Sequence, residues 1–303
     1  MDQVAVTKGC RKVWSVQTQI LKMIDIRQTL QYADYLKKEG WIVERISGTN
    51  YFIRKFPIIG AVMKVQRPER INFETIDNLA RKYRSFQIII EPNQGIDLEL
   101  LASNGFRLSK NPYLPSKTLQ IDLSQDEKAI FNHFEKDARR AIKRGEILTI
   151  EDCSSPAGVK KWREAWKNSV KLDRYVPALN QLMNLHKSFP LDSSLFLASH
   201  NIFGRIIGGA LFTVSSHERS NYITYYWHGF TNNEGRSTLS QYSLLYQGIL
   251  WAKRMDCKVF DFEGIYDERF PNKSWLGFTH FKKSFGGREV LYPGCYTKFR
   301  FPI

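Results

Sequence analysis

Hydrophobic positions along this chain recur at two spacings, and the switches between them mark out its elements. TLQYADYLKKEGW, residues 29–41, sets Leu30, Ala33 and Leu36 at helical intervals and closes on Gly40. Short alternating runs follow in YFIRKF and AVMKV, and then Ile76, Leu79, Ala80 and Tyr83 return to helical spacing. FQIIIEP is a continuous apolar run stopped by Pro92, the mark of a buried strand, and KTLQIDL alternates as a strand does. Ser124 with Glu127 three residues later forms a capping-box pattern. It predicts one helix running to Gly145, with Ile130, Phe131, Phe134, Ala138, Ala141 and Ile142 on its buried face.

Pro156 opens a further helix whose stripe of Val159, Trp162, Trp166 and Val170 reads as core. RIIGGALFTV and NYITYYWHGF read as neighbouring strands. They precede a long amphipathic helix over STLSQYSLLYQGILWAKRM, with Ser237 as its expected cap, and then the strand KVFDFEG. The alternation predicts an α/β or α+β architecture. No linker, low-complexity tract, tandem repeat or coiled-coil heptad run interrupts it, so the division between halves is placed near residue 127, at the basic helix.

Composition narrows the partner. The chain has 303 residues, room for two domains, and 43% hydrophobic content, enough for a real core. Lys and Arg number 45 against 30 acidic residues, and the resulting net charge of +15 points to a polyanion: nucleic acid, a phosphorylated metabolite or an anionic membrane. A basic but inert surface is the alternative. Cys10, Cys153, Cys257 and Cys295 form no CxxC, and the first residues contain no apolar signal region, so a reduced, cytoplasmic setting is expected. Peripheral contact with the cytoplasmic membrane face is compatible with the charge. The histidines have no ligand spacing, and neither a metal nor a cofactor is expected. GxxxxGK[ST] and GxSxG are absent. So is the R/Q-x-x-G-x-G/A turn of an acetyl-CoA site, since Arg236 is followed by Ser and Thr.

The densest candidate chemistry lies in FDFEGIYDERFPNKSWLGFTHFKKSFGG, residues 260–287. Strand alternation puts Asp261 and Glu263 on one face, where paired carboxylates serve as a general base, bind a cation or anchor a loop. Lys282 sits between Phe281 and Phe285, with Lys283 and Arg288 nearby; aromatic shielding strengthens a lysine's field at a developing negative charge. Gly286 and Gly287 suit a tight turn with free amide groups. A second cluster, Lys136, Arg139, Arg140, Lys143 and Arg144, exceeds what a helix C-terminus requires and suggests anion binding.

Taken together, QYADYLKKEGW, IIIEP, the stretch from PSKTLQIDLS to FEKDARRAIKRG, and the tail WAKRMDCKVFDFEGI, GFTHFKKSFGG and YPG resemble the FemABX aminoacyltransferases of peptidoglycan bridge synthesis, nearly end to end. The resemblance implies two GNAT-like subdomains around a cleft, 1–126 with 290–303 and 127–289, without the coiled-coil arm. It implies transfer of an amino acid from aminoacyl-tRNA to the stem-peptide amine of UDP-MurNAc-pentapeptide or lipid II. Another GNAT-like N-acyltransfer, with a different donor or amine, is the alternative. By position, Phe281 and Lys282 resemble the family's Phe-Lys pair at the transfer centre. Lys37 or Lys38, with Arg174, resemble its diphosphate ligands, and Tyr225 or Tyr226 its peptide-channel lining. The tRNA side then falls to Arg139, Arg140, Lys143, Arg144, Lys283 and Arg288. Glu263 departs from the family's Asp-Phe-Gly-Gly, an extra carboxylate that would attract a cationic acceptor group or close a salt bridge.

Overall fold

A computed structural model describes residues 23–170, 174–189, 193–215 and 222–300. Cys10 and the signal-region reading lie outside these residues. The first half runs α1 (Leu30–Lys38), β1 (Ile42–Ile46), β2 (Thr49–Phe56), β3 (Gly60–Gln66), α2 (Phe73–Lys82), β4 (Ser85–Glu91), α3 (Leu98–Ser103) and β5 (Arg107–Leu108). The second runs β6 (Lys117–Asp122), α4 (Glu127–His133), α5 (Lys136–Arg144), β7 (Thr149–Asp152), α6 (Pro156–Ser169) and α7 (Leu179–Ser188). It continues with β8 (Ser194–His200), β9 (Ile206–Val214), β10 (Ile223–Thr231), α8 (Asn233–Ser237), α9 (Ser240–Arg254), β11 (Val259–Gly264), α10 (Leu276–Lys283), β12 (Arg288–Leu291) and β13 (Tyr296–Phe299).

Three local readings change. In α1 the buried residues are Tyr32 and Ala33, and Leu30, at the first helical position, is 64% exposed. The helix expected from Ser124 begins instead at Asp126, whose carboxylate accepts from Ala129 N, and it breaks at Phe134. There the backbone turns extended, Glu135 N donates to Ser284 O (2.8 Å), and the Arg139 guanidinium donates to the carbonyls of Asn132 and Phe134 (2.7 and 2.9 Å). The tail and a side-chain cap thus replace the helical bonds missing at the break. Ser237 does not cap the long helix: Asn232 caps α8, Ser237 ends it with its hydroxyl donating to Glu234 O (2.8 Å), and α9 starts anew after Leu239, at φ +56°.

The strands form two mixed sheets, in the orders β1-β2-β3-β4-β13-β5 and β12-β6-β11-β10-β9-β8-β7. Each contains one parallel pair, β3 with β4 and β10 with β11, joined by a helical crossover as parallel pairing requires. The halves also exchange strands. β6, which follows β5 in the chain, lies between β12 and β11, while β13, which follows β12, lies between β4 and β5. The two crossing connections run side by side, with Ser109 N donating to Cys295 O (2.7 Å) and Tyr292 N to Ser116 O (2.8 Å). Sheet membership therefore divides the chain in the connection 109–116, ahead of residue 127, and returns 296–299 to the first half.

Three cores result. One lies under α2 and α3 on the first sheet, and another between the second sheet and α4, α5 and α9. The third joins both halves: Ile26, Tyr32 and Phe52 pack with Trp162, Leu182, Phe196 and Tyr225. This shared apolar surface fixes the halves against each other around the cleft. Among the described residues no helix is long and apolar enough to cross a membrane.

Candidate active site at a parting of parallel strands

β10 and β11 pair only over Ile223–Val259, Thr224–Phe260 and Tyr225–Asp261. Beyond these residues both strands are irregular, β10 between Tyr226 and His228 and β11 between Asp261 and Gly264, where Glu263 sits at φ +60°. The parallel pair thus parts at its carboxyl end, where open α/β sheets commonly receive ligands.

Lys282 points into this parting. The last turn of α10 carries its ammonium to the carbonyls of Phe262 and Gly264, each at 2.7 Å, and leaves the residue 8% exposed. An ammonium has three N–H groups, so these two carbonyls occupy all but one of them. The rings of Phe278 (5.0 Å) and Tyr226 (5.6 Å) flank it. Burial pulls its pKa down from the ordinary 10.5 to about 8, against the opposing charges of Glu263 and Asp261.

Both carboxylates face the same small cavity, which Arg27, Arg67, Tyr225 and Tyr292 also line. Asp261 accepts from Thr118 Oγ1, from Gln120 Nε2 (2.8 Å) and from Glu263 N (2.7 Å), and so holds the irregular strand. Burial and the neighbouring Glu263 charge push its pKa up to about 6. Glu263 pairs with Arg27 at 2.8 Å. Arg27 also reaches Asp25 (3.3 Å) and lies over the rings of Trp227 (5.3 Å) and Tyr225 (5.7 Å). Burial alone would lower the Arg27 pKa, but Glu263 and Asp25 outweigh it and hold the guanidinium above its usual range. Of the two readings of Glu263, the geometry is that of a salt bridge.

The other candidates fall in different places. Phe281 turns from Lys282 into the core, its ring 4.8 Å from Tyr242 and 5.6 Å from Phe285. Tyr225 packs into the shared core, its hydroxyl accepting from Ile26 N (3.3 Å), while Tyr226 belongs to the other face and accepts from Gln241 (2.8 Å). Lys37 is exposed, and Lys38 bonds Asp34 and Ser188 Oγ, the latter at 2.9 Å. That contact, with Asn184 donating to Glu39 (2.9 Å), seats the basic end of α1 on α7 of the second half. Arg174 is exposed just ahead of α7. Arg140, Lys143 and Arg144 are exposed on α5, whereas Arg139 is occupied as a helix cap. Lys283 pairs with Glu289 (2.5 Å), and Arg288 reaches Gln120 (3.4 Å). Gly286 and Gly287 serve packing rather than display: Gly286 N is bonded to Lys283 O, and at Gly287, φ +92°, a Cβ would lie 2.5 Å from Gln120 O.

Asp25, Arg27, Arg67, Thr118, Gln120 and Tyr292 join the site without standing out in the sequence. One signal was present: Asp25 interrupts the apolar run MIDI, residues 23–26, and Arg27 follows it directly, where unpaired charge is expensive. Beyond Gly264 a groove of about 740 Å³ opens between residues 109–116 and the loop 265–275, with Trp275 seated on Gly264 and Lys110 and Lys273 on its walls.

A crystal structure of FemX superposes with a TM-score of 0.76 at 17% identity, covering 91% of this chain and 92% of that one. This chain has the FemX fold. L-PGS from Bacillus licheniformis matches at TM-score 0.58 and 13% identity over 89% of this chain and 87% of its own. A tandem GNAT protein from the clavulanic acid biosynthesis pathway matches at 0.51 and 10%, over 83% and 82%. The two sheets therefore correspond to tandem GNAT-like units, in line with the α/β expectation. No protein-family model and no curated protein sequence matches the chain. In this chain the turn before α9 carries α8, where Gly235 N donates to Asn232 Oδ1 (2.8 Å) and Leu239 N to Arg236 O (3.2 Å).

Proposed function

We propose that this chain is a FemABX-type aminoacyltransferase, moving an amino acid from aminoacyl-tRNA to the free amine of a peptidoglycan precursor stem peptide, on UDP-MurNAc-pentapeptide or lipid II. The observation that carries the proposal is Lys282, a shielded ammonium with one N–H to spare at the parting of β10 and β11. FemX likeness across nine-tenths of both chains supports it.

An aminoacyl ester is already activated, so the protein needs no nucleophile of its own. The neutral acceptor amine attacks the ester carbonyl, a C–N bond forms, and the negative charge on the carbonyl oxygen is taken by the free N–H of Lys282. The C–O bond to the ribose then breaks, and the proton lost by the amine passes to the departing ribose oxygen by way of the tRNA's own terminal hydroxyl or phosphate. Holding both substrates in the cleft supplies the remaining acceleration. The groove beside Gly264 is the route assigned to the acylated RNA end, and Lys37 or Lys38 with Arg174 the diphosphate side. An acyl-CoA donor is disfavoured because the turn ahead of α9 lacks the R/Q-x-x-G-x-G/A run that would cradle a pyrophosphate, Arg236 being followed there by Ser237 and Thr238.

The test incubates the protein with bulk tRNA charged with labelled amino acids and with each precursor in turn, followed by mass spectrometry of the acceptor. A gain of one amino-acid residue, lost after tRNA digestion, is expected. Acylation from acyl-CoA without tRNA would overturn the donor assignment.

A further inference from the structure

The end of the first sheet away from Arg67 and Glu91 has an unusual composition. Hydrogen-bonded register brings the end of β2, the starts of β3 and β4 and the end of β13 together there: Phe56 opposes Gly60, Ala61 opposes Ser85, and Phe299 opposes Gln87. The β2–β3 connection is Pro57-Ile58-Ile59, closed by Ile59 N donating to Pro57 O (2.8 Å) with Ile58 at φ +70°. A β-branched residue is rare in that conformation. Ile58 is 102% exposed, Phe299 70%, Ile59 56% and Phe56 41%, so the sheet ends in an apolar rim held out into water.

Charge around the rim is one-sided. Lys55 and Arg84 are exposed beside it, and among the described residues neither has a carboxylate partner. Nearby carboxylates are already matched, Glu44 by Lys82 and Asp77 by Arg300. A second copy of this chain would bring Lys55 and Arg84 against their own kind in a two-fold contact. An anionic bilayer offers the complement of both features: acyl chains for the tip and negative headgroups for the cations.

We propose that this sheet end, with Ile58 at its tip, docks the protein on an anionic lipid bilayer. Ile58, Ile59 and Phe299 enter the boundary between headgroups and acyl chains, and Lys55 and Arg84 engage lipid phosphates. Docking requires neither tRNA nor aminoacyl transfer, so it stands or falls independently of the function proposed above.

The experiment is co-sedimentation of the full chain with vesicles of phosphatidylcholine alone or of equal parts phosphatidylcholine and phosphatidylglycerol, with circular dichroism to verify folding. Binding is expected only to the anionic vesicles. Ile58→Asp, and separately Ile59→Asp, should abolish it with the fold intact. Lys55→Gln with Arg84→Gln should weaken it roughly 25-fold, at about fivefold per basic residue. Failure of the wild type to sediment with anionic vesicles would overturn the proposal, as would wild-type binding by both aspartate variants. So would self-association in lipid-free buffer that Ile58→Asp removes without any vesicle binding.

Discussion

Arg27 and Glu263, 236 residues apart in the chain, form a 2.8 Å ion pair that ties the segment ahead of α1 to the irregular end of β11. Both partners are largely shielded, the arginine almost completely. Removing one member leaves the other charged without compensation, so Arg27→Ala should cost about 3–5 kcal/mol. Arg27→Met with Glu263→Gln should recover much of that loss in urea unfolding. Equal losses in the single and double variants would show that the pair acts through packing alone.

Lys282→Met keeps the volume and removes the charge. Under the proposed mechanism, transfer should fall by about 100-fold or more, the scale of losing one oxyanion donor. Thermal stability should change little, because desolvating the ammonium already offsets much of its bonding to the Phe262 and Gly264 carbonyls. Near-normal transfer by this variant would remove Lys282 from the chemistry.

The pKa of about 8 gives that role a pH signature. If the ammonium stabilises the oxyanion, the transfer rate should fall as pH rises through about 8; a neutral amine acting as base would make it rise there. Stability has the opposite sign. Between about 8 and 10.5 the folded protein binds fewer protons than the unfolded chain, so the cost of burying Lys282 is full below 8 and lessens toward 10.5. Asp261, raised from 3.8 to about 6, works the other way: its contribution to stability falls as pH rises through that interval. Transfer rates and urea midpoints from pH 5 to 10 check both signs.

On α5 the arginines separate into two groups. Arg139→Ala removes two bonds to the carbonyls at the end of α4 and should destabilise the fold by about 1–2 kcal/mol. Changing Arg140, Lys143 and Arg144 to Gln should leave the melting temperature unchanged. It should also flatten the salt dependence of tRNA binding by about one unit for each phosphate the variant no longer neutralises. An unchanged salt slope would assign these cations to a solvated face.

Ile58→Gly should stabilise the protein by about 1 kcal/mol, since it removes the crowding of a β-branched side chain at positive φ. The same change should weaken vesicle binding. A loss of stability instead would mean that the side chain is held by neighbours of its own.

Much of the secondary structure was legible because its causes are local. Ile76, Leu79 and Ala80 face inward on α2 as their spacing dictates, Trp162 and Trp166 do so on α6, and FQIIIE is a buried strand. The aromatic shielding of Lys282 was legible only in part: Phe278 lies in the same helix, but Phe281 and Phe285, its neighbours in sequence, pack together in the core, and the second ring over the ammonium, Tyr226, comes from β10. Three features depended on the tertiary structure. The helix break at Phe134 depends on Ser284, and the salt bridge of Glu263 on Arg27. The exchange of β6 and β13 depends on two connections crossing each other. Periodicity reports which face of an element is apolar, because burial repeats with the backbone's own geometry. It carries no record of which distant segment supplies the partner, and in this chain those partners shape the candidate site: Lys282 bonds the carbonyls of a strand end whose form Arg27, Thr118 and Gln120 determine from the other half or across the exchanged strand.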